Sequence, residues 1–241
     1  MKHIPNIITS LNLVAGFISI IFAFNGQLLT ASWLILAAMV FDFFDGFSAR
    51  LLQAYSPIGK ELDSLADAVS FGVAPAIIIY QLLGYSLGLA FPFIENTKSP
   101  AETAILFSPV IMSLCAVLRL AVFNIDDTQV RSFSGLPTPA NALAVISLVI
   151  AVHYTDIKLL ARITDSTIFL TILTISLALL MISRIPLISL KTNNLKIKGN
   201  EARYILIILT LASIVFLGIG AAPLIIPFYL LSSALSLLFR Q

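Results

Sequence analysis

Charge is what this chain has least of. Lys and Arg number 14 and Asp and Glu 12 among 241 residues, about half the charged fraction of a typical soluble domain. With 59% hydrophobic residues and a mean hydropathy of +1.03, a soluble globular domain is excluded. The chain has one cysteine, Cys115, which rules out an intramolecular disulfide and any cysteine-based metal cluster. Inside an apolar run, Cys115 reads as a small buried side chain. No ten-residue alternation of apolar and polar residues occurs, so a membrane β-barrel is excluded as well. There is no internal repeat, no low-complexity tract and no sign of a soluble domain. The first apolar run reads as a transmembrane helix rather than a cleaved signal, with only Lys2 and His3 ahead of it and no small-x-small site leading into a polar mature chain.

Long apolar runs are abundant. Eight of them, at 7–25, 29–51, 62–84, 104–124, 138–154, 167–189, 203–219 and 222–239, approach the roughly 20 residues that cross a bilayer core as a helix. The third is the most broken, by Gly72 and Pro75. These runs predict an all-α integral membrane protein of about eight transmembrane helices. The polar, basic stretch KTNNLKIKGNEAR at 191–203 divides it. The expected organisation is a six-helix core at 1–190, a basic linker at 191–202 and a C-terminal helical hairpin at 203–241. Eleven Lys and Arg fall at the end shared with the N-terminus and only Lys98, Lys158 and Arg162 at the other. The positive-inside rule therefore puts the N-terminal end in the cytoplasm. The linker lysines need no other role than this and contact with anionic headgroups. His153, at the far end of the fifth run, reads as interfacial.

Against this background, residues 41–67, FDFFDGFSARLLQAYSPIGKELDSLAD, hold four aspartates. Asp42 and Asp45 are spaced i,i+3 and Asp63 and Asp67 i,i+4, so each pair shares a helix face with Cβ atoms about 5–6 Å apart. Pro57 and Gly59 between them allow a short turn. Two antiparallel helices joined this way would bring both pairs together at the cytoplasmic edge, where they would repel one another unless cations lay between. Hard oxygen ligands suit Mg²⁺, Mn²⁺ or Ca²⁺, and ionisable groups in spans are candidates for function. Gly46 and Ala49 follow on the first helix, either as packing notches or as a slot beside the acidic site. Arg50 is placed to meet a phosphate or to snorkel.

The spacing Asp42-x₂-Asp45-Gly46-x₂-Ala49-Arg50-x₈-Gly59-x₃-Asp63-x₃-Asp67 resembles the full signature of the CDP-alcohol phosphatidyltransferase family, with every position filled. The resemblance implies a membrane enzyme that replaces CMP on a CDP-linked lipid by an alcohol, using divalent metal. It implies that Asp42, Asp45, Asp63 and Asp67 hold two ions and that Asp67 also deprotonates the incoming hydroxyl. Gly46, Ala49 and Gly59 would flank the CMP portion, with Arg50 supporting that site. A homodimer is implied too. IPNIITSLNL at 4–13, SFGVAPA at 70–76, LRLAVFN at 118–124 and FSGLPTPAN at 133–141 resemble the phosphatidylserine synthase branch of the family. Val122 departs from that pattern, which usually has Arg there.

The partners implied are CDP-diacylglycerol, L-serine and membrane lipids, with no nucleic acid. The expected setting is the cell membrane of a prokaryote with the active site facing the cytoplasm. Serine needs a cation for its carboxylate, and Arg119 and Arg131 are the candidates, with Asn124 as a polar contact. Either arginine also fits a plain orientation role. Asp126 and Asp127 would attract the ammonium or be solvated. Pro137 and Pro139 shape the entry to the fifth helix, with Asn141 in its first turn. A phosphorylated acceptor such as glycerol 3-phosphate or an inositol compound would need a more basic pocket. A cation transporter is the alternative from another class; it predicts acidic groups near the midplane in broken helices of an inverted repeat, and no second copy of the acidic segment occurs.

Overall fold

A computed structural model describes residues 3–54, 56–125, 133–188 and 200–238. Arg131, Asp126, Asp127 and linker residues 191–199 lie outside the described residues. The described residues are helical almost throughout, and each of the eight apolar runs contains a helix, the sixth ending at Ile182 before Pro186–Leu187 pairs as a strand.

Helix α1 (Ile4–Phe24) opens on Pro5 in its first turn, where the missing N–H costs nothing. A turn at Gly26, with φ +74, returns the chain into α2 (Leu28–Leu51). Small residues on both helices are buried: Ala15, Ser19 and Ala23 on α1 and Ala31, Ser32 and Ala38 on α2. Small residues let backbones approach closely where lipid supplies no hydrophobic drive, and Ser19 Oγ donates to the Ala31 carbonyl at 2.9 Å.

Helix α3 (Pro57–Asp67) is capped by Ser56, whose hydroxyl accepts from Gly59 N at 3.0 Å. Pro57 and Gly59 therefore sit in the first turn of α3, and the chain turns before them at Leu52 and Gln53, with Gln53 at φ +49. After Asp67 the helix does not break at Gly72 and Pro75. It passes through a π-helical segment, Ala68–Val73, into α4 (Ala74–Ser86). Three other helices hold this segment. Ser70 Oγ donates to the Asn12 carbonyl of α1 at 3.0 Å, and Ser113 Oγ donates to the Gly72 carbonyl at 3.3 Å. Asn141 Nδ2 donates to the Phe71 carbonyl at 3.1 Å.

Helices α5 (Pro100–Phe107) and α6 (Pro109–Ile125) follow, then α7 (Thr138–Tyr154), the most buried element. α8 (Lys158–Thr164) and α9 (Thr167–Ile182) are bent by 76° to each other. Two short strands, β1 (Phe133–Ser134) and β2 (Pro186–Leu187), pair antiparallel. The last helices, α10 (Glu201–Leu217) and α11 (Ile225–Leu238), are separated by a 3-10 segment, Gly218–Leu224, and pack against each other.

By length and composition, five helical stretches are fit to cross a bilayer among the described residues: Ile4–Phe24, Leu28–Leu51, Pro57–Ser86, Pro100–Ile125 and Glu201–Ser236. The bent α8–α9 pair makes six. The sequence reading counts eight because α7 has only 17 residues and because the last two runs form one stretch with a 3-10 interruption. Phe71, Ile78, Ile79, Met112, Ile146 and Leu170 fill the interior. Ile7, Phe17, Ile111, Ile168, Ile172 and Phe216 face outward, an apolar exterior of the kind hydrocarbon solvates. The protein is an integral membrane protein.

Candidate active site

Both aspartate pairs reach one end of the bundle. Asp42 and Asp45 lie on the last three turns of α2, and Asp63 and Asp67 close α3. α1 packs against both helices, so the pairs do not meet as a simple two-helix hairpin; α1 supplies part of the wall. One carboxylate oxygen from each of Asp42, Asp63 and Asp67 falls within 4.8 Å of the other two. Asp45 is 5% exposed and stands beside this group.

The arrangement fits a hard cation. Ligand oxygens about 2.3–2.6 Å from a Ca²⁺, or closer to Mg²⁺, stand no more than about 5 Å apart across the ion. Buried carboxylate oxygens also need a partner. Oδ2 of Asp45 and Oδ1 of Asp63 have no hydrogen bond among the described residues. Asn12 Nδ2, fully buried on α1, donates to Asp67 Oδ1 at 3.2 Å. Asn12 is not among the residues that the sequence marks for the site. Its signal was a polar residue inside the first apolar run, but its partner lies 55 positions away.

Two cavities meet at the aspartates. The larger, about 550 Å³, is bordered by Asn6 and Thr9 of α1, by Asp45, Gly46, Ala49 and Arg50 of α2, and by Gly59, Lys60 and Asp63 of α3. That volume is in the usual range for a small-molecule site. Every residue proposed to flank the nucleotide borders it. Among the described residues a Cβ placed on Gly46 meets only Arg50 Nη1, at 3.7 Å, so Gly46 is not a packing notch among them; its missing side chain leaves open space in the cavity. Gly59 is tighter, with a Cβ 2.9 Å from Asn6 Oδ1 and 3.0 Å from Ser56 Oγ.

The smaller cavity, about 260 Å³, lies on the other side of Asp63 and is bordered by Lys60, Ser64, Asp67, Arg119, Asn124 and Pro137–Pro139. Arg119 and Asn124 thus border a cavity shared with Asp63 and Asp67, while Arg131 is outside the described residues. Asn124 is fixed to α3 twice. Its carbonyl accepts from Lys60 Nζ at 2.9 Å, and its side chain bonds the Ser64 hydroxyl at 2.9 Å. Thr138, 1% exposed, also lines this cavity, and its Oγ1 has no hydrogen-bond partner among the described residues. Asn141, left without an assigned side in the sequence, faces the π-helical segment. His153 borders a separate cavity with Gly26 and Thr164 at the opposite end of the bundle.

Comparison with known proteins places the chain. The CDP-alcohol phosphatidyltransferase family model matches residues 2–217. A protein of Mycobacterium leprae called CDP-diacylglycerol–serine O-phosphatidyltransferase is 39% identical over 199 residues, 80% of this chain and 60% of its own length. Proteins of the same name from Bacillus subtilis and Helicobacter pylori are 34% and 31% identical. The first covers 77% of this chain and 89% of the relative, the second 98% and 91%. This chain therefore spans less than two thirds of the Mycobacterium leprae relative. The family match runs through both aspartate pairs and both cavities, and the chain belongs to the CDP-alcohol phosphatidyltransferase family.

Proposed function

We propose that the protein transfers a phosphatidyl group from CDP-diacylglycerol to L-serine, giving phosphatidylserine and CMP. One observation carries the reading. The acidic centre separates a larger cavity with an open glycine face from a smaller one holding a single arginine among its described lining residues. That is a donor side and an acceptor side with the reacting phosphorus between them. The relatives named for this reaction support it.

Asp42, Asp45, Asp63 and Asp67 would hold divalent metal, Mg²⁺ or Mn²⁺, as two ions, with Asp42, Asp63 and Asp67 already grouped for one. Metal held there would supply positive charge against the diphosphate and the departing CMP. Gly46 and Ala49 leave room for the nucleotide, Gly59 lets α3 approach Asn6, and Arg50 meets phosphate at the rim. Asp67 borders the acceptor side and not the larger cavity, so it is the residue placed to take the serine hydroxyl proton. Asn12 holds its carboxylate in orientation. As that proton leaves, the serine oxygen bonds to the lipid-bearing phosphorus and the bond from phosphorus to CMP oxygen breaks. Arg119 receives the serine carboxylate in a bidentate pair. The described lining of the smaller cavity has only Lys60 and Arg119 as cations, and Lys60 is engaged by Asn124, which favours serine over a phosphorylated acceptor.

The chemistry is assigned to residues 1–190, with 191–202 a linker and 203–241 an accessory hairpin. The site faces the cytoplasm of a prokaryotic cell membrane, in keeping with the bias of basic residues and the bacterial relatives, and the protein acts as a homodimer. The test is CMP release by purified protein with CDP-diacylglycerol, Mg²⁺ or Mn²⁺, and serine, glycerol 3-phosphate, inositol phosphate or inositol. Serine-dependent release that is lost with chelator is expected; release only with a phosphorylated acceptor overturns the serine assignment. Asp67→Asn is expected to lower turnover by at least about 10²-fold, the scale of a lost general base, with CDP-lipid binding changed little. Normal turnover in that variant removes Asp67 as the base.

A further inference from the structure

Helix α7 begins at the smaller cavity without a side-chain cap. Its N-cap residue is Pro137, which has no side-chain oxygen to offer, and no side chain caps the helix among the described residues. A helix leaves its first four N–H groups without partners of its own. Pro137 and Pro139 have no N–H, so those of Thr138 and Ala140 remain. The ladder starts with Asn141 N, which donates to the Pro137 carbonyl at 3.0 Å. Pro137, Thr138 and Pro139 all border the cavity. A helix of 17 residues thus brings the positive end of its dipole to the cavity wall.

Thr138 gives a second, independent sign of a ligand. It is 1% exposed, and its Oγ1 has no hydrogen-bond partner among the described residues. A threonine inside a helix can donate to the carbonyl four residues earlier, as Thr9, Thr171 and Thr174 do. Thr138 is the first residue of α7, and the residue four before it is Ser134, in strand β1. No helical carbonyl stands there to accept. A buried hydroxyl is costly to leave unpaired, and this one belongs to a residue on the wall of a cavity. The segment is also set in place before any ligand arrives. Gly135 N donates to the Ile185 carbonyl and Leu136 N to the Leu180 carbonyl, at 3.0 and 2.9 Å, and Asn141 ties the first turn to the π-helical segment.

We propose that the N-terminus of α7, with the Thr138 hydroxyl, is an anion subsite of the smaller cavity and receives the carboxylate of the acceptor alcohol. A carboxylate has about four lone-pair sites. A bidentate pair with Arg119 fills only some of them, and the Thr138 hydroxyl donates to another. Thr138 is then a specificity-determining residue that favours alcohols carrying a carboxylate. This inference rests on the serine reading above.

Steady-state kinetics of the full chain in detergent tests it, with wild-type protein measured first. No serine-dependent CMP release there overturns the serine reading and the inference with it; release together with unaltered variants overturns the inference alone. Thr138→Val keeps the shape and removes the hydroxyl. It is expected to raise KM for serine at least about ten-fold, the scale of one hydrogen bond to a charged group. The KM for CDP-diacylglycerol should stay within about two-fold, and Thr138→Ser should recover most of the loss. β-Hydroxypropionate, with a carboxylate and no ammonium, should inhibit in competition with serine, and its inhibition constant should rise in Thr138→Val as KM does. Ethanolamine, with no carboxylate, should inhibit weakly or not at all, and equally in both proteins. An unchanged KM for serine in Thr138→Val overturns the inference, as does an equal loss in Thr138→Ser. No inhibition of wild type by β-hydroxypropionate, or a matching rise for ethanolamine, overturns it too. The last check is the melting temperature without substrate, which Thr138→Val should not lower. A fall of several degrees, or loss of the fold, would give the hydroxyl a partner inside the protein and overturn the subsite.

Discussion

At Gly46 a single methyl group separates stability from function. The residue lies inside α2, where glycine is less favourable than alanine by about 1 kcal/mol. Among the described residues nothing but the far end of Arg50 lies within contact of an added Cβ. Gly46→Ala is therefore expected to raise the melting temperature in detergent while raising KM for CDP-diacylglycerol several-fold, and Gly46→Leu more so. A variant with unchanged KM would remove Gly46 from the nucleotide face. From the sequence this glycine reads equally as a helix notch or as a ligand slot, because spacing says nothing about what lies opposite. The aspartates were legible by contrast: i,i+3 and i,i+4 pairs state their own geometry on a helix. Asn12 was not legible as part of the site, since its contact with Asp67 is made by folding and by no local rule.

Among the elements, the junction of α1 with the π-helical segment decides where Asp67 sits. A Cβ on Gly16 would lie 2.7 Å from Ser70 Cα, a backbone atom that cannot yield without moving the segment. Gly16→Ala is expected to cost about 1–3 kcal/mol, the range for overpacking a tight contact, read as a lowered melting temperature. It should also lower kcat, because α1 carries Asn12 and the π-helical segment begins directly after Asp67. Full activity with a lowered melting temperature would confine this contact to packing. The sequence marks the third run as broken at Gly72 and Pro75; the helix runs on through both, and the irregularity is a π-helical segment, Ala68–Val73. Its form was hidden, since the bonds that hold it come from Asn12, Ser113 and Asn141 on three other helices.

Taken whole, the molecule gathers four aspartates at one end of an apolar body, and metal is expected to act on its stability as well as its chemistry. A ligand that binds only the folded state adds about 2.7 kcal/mol at 100 times its Kd. Mg²⁺ or Mn²⁺ alone, with no lipid present, should therefore raise the melting temperature of the purified protein, and chelator should reverse it. Asp63→Asn should abolish that shift; an equal shift in wild type and variant would place the ion elsewhere. Composition and run length made the class and the helical architecture legible, since both follow from the solvent the chain must meet. The number of full crossings was less so, because α7 is short and the last two runs are joined by a 3-10 segment. The π-helical segment carries one more consequence. An α-helix turns about 100° for each residue, so the continuous rod from Pro57 to Ser86 behaves as a crankshaft, its two throws set apart by the wide turn between Ala68 and Val73. A chain one residue shorter within that turn would keep every apolar run and every aspartate, yet swing Asp63 and Asp67 about a quarter-turn away from Asp42.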